Sequence, residues 1–237
     1  MRQITLTVLL AVVAVTPLAA KNDGDDANAQ RLFKNMEAKL ETAKTLSLSF
    51  DGKFETDSLP FKGWTLKGTV AVKDKQSRAE ISGGKPGNEP FKALTVSDGT
   101  QVVEIQESNR KTRPASKVSI PNLLTLVERP GFMLMITPLP PEPFANSDFD
   151  LKDGFTVSGF KLGPKEQIGA RETQRVDYTL SVKGNSGTFP VSVWIDSKTS
   201  LPVKRQMGTD AENVWYSETY DVTLDGKVDP KTFELPK

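Results

Sequence analysis

Carboxylates are the side chains of this sequence best suited to chemistry, because the chain contains no histidine and no cysteine. The missing histidine excludes Ser-His-Asp and Cys-His catalysis and the commonest zinc sites. Paired carboxylates can still hydrolyse glycosides, and Glu166, Glu172, Glu212 and Glu218 are the candidates. Nothing in their spacing indicates such a pair, and acidic residues at strand ends are ordinarily solvated. We therefore predict that the protein is not an enzyme and that it has no cofactor, metal site or catalytic residue.

A second candidate feature is the apolar run 131–136, which prolines bound on both sides. Its side chains could form a cover that touches an apolar ligand, since methionine adapts to varied apolar shapes. The alternative is an ordinary buried segment that seals the core. Phe132, Met133 and Met135 are the candidate ligand contacts in this run.

Other candidate contacts lie on segments where apolar and polar residues alternate, which is typical of strands. They are Leu48, Phe50, Trp64, Leu66, Val70, Val72 and Trp194. The first six could line an apolar cavity, or they could belong to a packed core. Trp194 alternates with Val191, Val193 and Ile195, so either it faces the concave side alone or both faces of its strand are covered.

The segment 189–204, which contains Trp194, predicts an antiparallel hairpin. Val191, Val193 and Ile195 alternate with Ser192, Trp194 and Asp196, and the run after Asp196 turns the chain. Aspartate suits the first position of such a turn, where its carboxylate accepts a backbone N–H. Pro202 cannot donate to a ladder, so it is expected at the start of the returning strand.

Other elements follow from the same reasoning. Apolar residues at three- and four-residue steps predict a helix over 27–44 with Asp25 or Asp26 as its N-cap. Asp98-Gly99 is a strong hairpin signal between strands at 94–96 and 102–105. The basic segment 109–114 is predicted to be a loop; it could meet lipid headgroups, but solvated charges are the simpler interpretation.

One leading helix, about ten short strands and one helical insertion predict the fold class. It is α+β and mainly β: a single antiparallel sheet curled into an unclosed half-barrel over the N-terminal helix and a helical lid. The insertion spans 119–145, with a short helix over 121–128 that Ser119 could cap. We expect one domain over residues 21–237, without repeats or a convincing linker.

Residues 1–20 resemble a cleaved secretory signal, with an apolar stretch that Pro17 ends well short of a membrane span. A retained anchor is the alternative. Without this segment the 31 basic residues lose only Arg2 and then balance the 30 acidic ones. A neutral chain argues against nucleic acid as a partner. We expect a soluble periplasmic protein that is a monomer.

The layout resembles the LolA/LolB-like family of bacterial periplasmic lipoprotein carriers and their lipid-binding relatives. The similar stretches, in order, are 40–50, 94–100, the pair 193–196 and 201–204, and 228–236. The resemblance implies an unclosed β-barrel around helices that cover an apolar cavity for acyl chains. The family's lid-locking arginine before a proline is absent from 72–78, where Arg78 matches a different arginine of the family.

The function that these observations favour is a carrier or binding protein for acyl chains, lipids or lipoproteins. A receptor in the inner or outer membrane is a possible further partner. The alternative is a regulatory or envelope-stress domain on the same fold that binds a protein partner. A packed interior without room for an alkyl chain would argue against the carrier.

Overall fold

A computed structural model describes residues 23–55, 62–117, 119–132, 150–184, 188–208 and 214–237 of the chain. Its helices are α1 (Asp23–Thr42), α2 (Ser119–Glu128) and α3 (Leu151–Gly154), with a 3-10 turn at Pro230–Phe233. Its strands are β1 (Thr45–Phe54), β2 (Thr65–Lys73), β3 (Gln76–Gly84), β4 (Phe91–Ser97), β5 (Gln101–Gln106), β6 (Asn109–Pro114), β7 (Phe155–Ile168), β8 (Arg171–Val182), β9 (Thr188–Asp196), β10 (Pro202–Gly208) and β11 (Val214–Leu224).

The strands form one 11-stranded sheet in the order β6-β5-β4-β3-β2-β1-β11-β10-β9-β8-β7. Every neighbouring pair is antiparallel. The end strands β6 and β7 do not pair with each other, so the sheet is not closed. The predicted fold class, one antiparallel sheet of about ten strands with an N-terminal helix and a lid helix, is confirmed.

The inner face of the sheet, defined as the face that carries the hydrophobic core, is set by the alternation in β1. Phe50 lies opposite Tyr220 of β11 and Gly68 of β2. A Cβ at Gly68 would lie only 2.5 Å from the Phe50 ring. Glycine at this position therefore lets the Phe50 ring lie flat across the neighbouring strand.

Helix α1 covers the inner face at β7 and β8. Its buried stripe includes Phe33 and Met36, and the Phe33 ring lies 4.9 Å from Tyr178 and 5.1 Å from Phe160. The predicted amphipathic helix is thus confirmed, but it begins at Asp23, so Asp25 and Asp26 lie within it. No described helix is long and apolar enough to cross a membrane.

The C-terminal segment crosses the opposite, outer face of the sheet. Phe233 is buried, and the 3-10 turn that contains it contacts β3. The guanidinium of Arg110 donates to the carbonyl oxygens of Pro236 and Lys237 at 2.7 and 3.2 Å. A small second apolar layer, separate from the inner core, therefore lies behind the sheet.

The prediction of a loop at 109–114 was wrong, because this segment is the edge strand β6. Its basic side chains find partners instead of solvent alone: Arg113 donates to Glu104 of β5 at 2.8 Å. Charged residues suit an edge strand because they discourage further strand pairing.

The hairpin predicted at 189–204 is confirmed as β9 and β10. One carboxylate oxygen of Asp196 accepts the N–H groups of Lys198 and Thr199, both at 2.8 Å. Burial acts to raise the pKa of the Asp196 carboxyl, but these two N–H groups outweigh it and hold the pKa below its usual value. Pro202 is the first residue of β10, as expected.

Replacing Asp196 tests this turn. Asp196→Ala is expected to lower the free energy of unfolding by about 1–2 kcal/mol, because two partly buried N–H groups lose their acceptor. Asp196→Asn, the matched control, keeps an acceptor oxygen and should lose less than half as much. Urea denaturation of the three proteins at pH 7 measures both values. Equal losses in the two variants would contradict the hydrogen-bonding role.

Candidate functional site

The candidate site lies between the inner face and the cover segment, defined as residues 119–132. Helix α2, which forms most of this segment, contacts α1 and α3. At the end of the segment the ring of Phe132 stacks on Phe50, with centroids 4.2 Å apart and planes 7° from parallel. Phe132 is fully buried. The cover segment therefore inserts an aromatic ring against the middle of β1.

Most of the sequence-predicted contacts share the inner face. Leu48, Phe50, Leu66, Val70, Val72 and Phe132 all belong to the buried core. Trp64, just before β2, is half-buried and packs against that core. Met133 and Met135 lie outside the described residues.

Trp194 does not join this group. Val191, Val193 and Ile195 belong to the inner core, whereas Trp194 alternates with them and lies on the outer face. It is nevertheless 3% exposed, and the ammonium of Lys204 lies 4.4 Å from its ring. Both faces of β9 are thus covered, which was one of the two arrangements that the sequence left open.

The inner face is filled where the described residues meet. Phe33, Met36, Leu66 and Phe132 are each 0% exposed, so no water-sized void touches them. An acyl chain can therefore reach the wall formed by β1 and β2 only if Phe132 moves away. This arrangement corresponds to a closed cover.

A buried arginine on β10 holds the cover segment. Arg205 is 0% exposed, and its Nη2 donates to the carbonyl oxygens of Val127 and Glu128 at 2.6 and 3.0 Å. These carbonyls end α2, where no further turn satisfies them and where the helix dipole favours a cation. Arg205 also donates to the Tyr220 hydroxyl at 2.6 Å. The sheet thus caps the cover helix from below.

Glu218 of β11 holds the next residues of the cover segment. Its carboxylate accepts the backbone N–H of Phe132 at 3.0 Å and the hydroxyl of Tyr220 at 2.8 Å. Gly131 has φ +84°, and a Cβ there would lie 2.2 Å from Glu218 Oε2. Only glycine combines this backbone conformation with so close an approach of the carboxylate.

Arg129 links the cover segment to the first helix. Its Nε donates to Glu37 of α1 at 2.9 Å, and its Nη1 donates to the carbonyls of Lys152 and Phe155. The hydroxyl of Tyr178 on β8 donates to the Arg129 carbonyl at 2.5 Å. We call Arg205, Glu218, Tyr220, Tyr178, Arg129 and Glu37 the latch.

The electrostatics of the latch follow from its burial. Burial raises the pKa of Glu218, against the opposing effects of Arg205 and the donors of Tyr220 and Phe132. Burial also raises the pKa of Tyr178 and Tyr220. Burial disfavours the charged form of Arg205, yet the neighbouring Tyr220, Tyr178 and Glu218 keep its pKa above the usual value. Arg205 therefore stays charged.

The latch was missed by the sequence reasoning, and the prediction that Glu218 is solvated was wrong. Glu218 is 1% exposed because its parity places it on the inner face of β11, opposite Arg205. One signal was available: Glu218 interrupts an otherwise apolar face of the last strand. Arg205 carried a similar signal, because it interrupts the alternation of Val203 and Met207, but its main-chain partners lie far away in sequence.

Two open cavities lined by described residues lie on the outer face. One of ≈ 770 Å³ crosses β1 to β5, and one of ≈ 510 Å³ lies beside the C-terminal segment. They share Ser49, Thr69, Arg78 and Glu80. Both walls carry both signs of charge, and the larger cavity also has apolar side chains in its wall, among them Leu94 and Ile105. Among the described residues, no group of His, Cys, Asp and Glu could hold a metal ion.

Comparison with solved structures bears on this architecture. LprF from Mycobacterium bovis is 11% identical, with 86% of this chain and 95% of that chain covered and a TM-score of 0.50. The likeness is one of fold. The Mycobacterium tuberculosis lipoprotein LppX (13% identity, 86% and 98% covered, TM-score 0.47) and a LolA superfamily protein from Nitrosomonas europaea (9%, 87% and 97%, 0.31) also match.

No protein-family model matches the chain, and no curated protein does. The likeness to LprF confirms, at the level of the fold, the resemblance expected from the sequence. At such low identities the function and the ligand do not follow from these structures.

Replacing Arg205 tests the latch. Arg205→Met is expected to lower the free energy of unfolding by about 3–5 kcal/mol, because the Val127 and Glu128 carbonyls and Glu218 lose a buried partner. Arg171→Met is the control, since Arg171 forms an exposed pair with Asp221; it should cost less than about 1 kcal/mol. Thermal and urea unfolding measure both. A loss as small as the control's would show that Arg205 does not hold the cover segment.

Proposed function

We propose that this protein is a periplasmic carrier or binding protein that takes an acyl chain of a lipid or lipoprotein between the inner face and the cover segment. The observation that carries the proposal is the stacked contact between Phe132 and Phe50 under a cover held by hydrogen bonds. Phe132 occupies the apolar wall in the way that a ligand would. Residues 1–20, read as a signal, support export to the periplasm.

Energetics favour replacement of Phe132 by a ligand. Exposing one phenylalanine costs about 1.5–3 kcal/mol. Burying an acyl chain gains about 0.8 kcal/mol per methylene, so ten methylenes are worth roughly 8 kcal/mol. The chain therefore outweighs the ring that it displaces, and the surplus can offset the opening of the latch.

The latch makes such opening reversible. Its contacts to the cover segment are hydrogen bonds to carbonyl and N–H groups together with the Glu37–Arg129 ion pair, and water can replace these partners when the cover lifts. Arg205 keeps a partner on its own sheet, because Tyr220 and Glu218 do not move with the cover segment. A cover sealed only by apolar packing would offer no such exchange.

The proposed contacts follow from position. Leu48, Phe50, Trp64, Leu66, Val70 and Val72 would form the wall, and Phe132 the displaced ring. Met133 and Met135 follow Phe132 in sequence and are proposed as further cover contacts. Trp194 is not included, because it lies on the outer face. The proposed partner is the acyl cargo, with a membrane receptor as donor or acceptor.

Removing the ring of Phe132 tests the proposal. Phe132→Ala is expected to bind a fluorescent C16 fatty acid about tenfold more tightly than the wild-type protein, because the ligand no longer has to displace a buried phenylalanine. Phe50→Asp should abolish the binding. Fluorescence titration measures affinity, and mass spectrometry of the purified protein detects retained lipid.

Leu94→Asp is the matched control, because Leu94 lines the outer cavity and not the inner face. It should leave fatty-acid binding unchanged. If neither the wild-type protein nor Phe132→Ala binds the fatty acid, and no lipid is retained, the inner face is only a packed core and the proposal is wrong.

The second candidate is a domain that binds a protein partner. The observation that favours it is the position of the two open cavities, with charges of both signs in their walls, on the outer face and away from the filled inner face. Under this hypothesis Arg78→Glu combined with Glu80→Arg would weaken a partner that co-purifies with the wild-type protein. Phe132→Ala would leave that partner bound.

A further inference from the structure

We infer that Glu128 is a proton-operated release for the cover segment: below about pH 7 it is neutral while the cover is closed, and its ionisation loosens the latch. The inference rests on the proposed function for its purpose, since a movable cover matters only above a binding site. It adds a regulatory input that the binding proposal does not contain.

Glu128 occupies a buried position that offers little solvation and few hydrogen bonds to a negative charge. It ends α2 and is 1% exposed, and no described donor lies within hydrogen-bond distance of its Oε1. Its own backbone carbonyl is one of the two that Arg205 holds. A change at the Glu128 side chain therefore acts on the residue that the latch grips.

The cations near Glu128 already bond to other groups. Glu37 and Lys34 face it from α1, Arg129 from its own segment and Arg205 from β10. Arg129 and Lys34 already contact Glu37, at 2.9 and 2.5 Å. Arg205 donates to the α2 carbonyls and to Tyr220. Ionised Glu128 would thus add a second carboxylate beside Glu37.

Burial, reinforced by the Glu37 carboxylate, raises the pKa of Glu128 from 4.5 to about 7. The closed cover therefore binds a proton more tightly than the open one, in which Glu128 meets water. The free energy that favours the closed cover over the open one is largest below pH 4.5, and it falls as the pH rises to about 7. Between pH 5.5 and 8 the opening constant should rise roughly 25-fold.

Amide hydrogen exchange of the ligand-free protein tests this directly. The N–H of Phe132 bonds to Glu218 on the sheet when the cover is closed. After correction for the intrinsic exchange rate, its protection factor should fall roughly 25-fold from pH 5.5 to 8. The fall should level off above pH 7. In Glu128→Gln the pH dependence should disappear.

Two comparisons isolate Glu128. Glu89→Gln alters an exposed glutamate in the β3–β4 connection and should keep the full pH response. Amides of the central β1–β2 pair should show no matching change. If Glu128→Gln retains the wild-type response, or if the β1–β2 amides lose protection in parallel, the inference is overturned.

If Glu128→Gln does not fold, the wild-type protein still tests the inference, because the protection factor of its Phe132 N–H must stop falling above pH 7. Glu37→Gln should lower the pH at which the protection factor stops falling, since it removes the negative charge beside Glu128. No lipid enters these measurements, so they can fail while fatty acid still binds. They can equally succeed where no fatty acid binds.

Discussion

The arrangement of the cover depends on one buried charge, the guanidinium of Arg205. It is fully enclosed, and it remains charged because carbonyls, a phenol and the nearby Glu218 surround it. Burying a cation is costly unless its hydrogen bonds are met. The last turn of α2 meets those of Nη2 and Tyr220 meets that of Nη1, so the helix end and the strand require each other. Phe132 reaches Phe50 because this contact fixes where the helix stops.

Two parts of the interior are stabilised differently. The ring of α1 and sheet residues around Phe33 forms a conventional core, in which shape fixes the packing. Beneath α2, apolar packing by Leu126 and Val127 is joined by directional contacts through Arg205, Glu218 and Tyr178. Directional bonds specify one position of a segment but can be exchanged with water. This addition would suit a cover that moves, as proposed, over a core that does not.

Much of the fold could be predicted from the sequence, since alternation and turn chemistry are local. The hairpin at Asp196 and the turn at Asp98 follow from a side chain bonding its own neighbours. Strand β6 was mistaken for a loop because its partners, among them Glu104, lie on another strand. The inner-face residues followed from parity, whereas the latch depends on pairs separated by tens of residues. Such contacts leave little trace in a single sequence.

The way the end of α2 is fastened has a kinetic consequence. Arg205, Tyr178 and Glu218 bind three consecutive carbonyl groups, those of Val127, Glu128 and Arg129, together with the Phe132 N–H. Because neighbouring peptide groups move together, these bonds are expected to break cooperatively and not one after another. Escape from beneath the cover would then be governed by a single barrier. The residence time of a bound molecule would follow one exponential instead of a gradual leak.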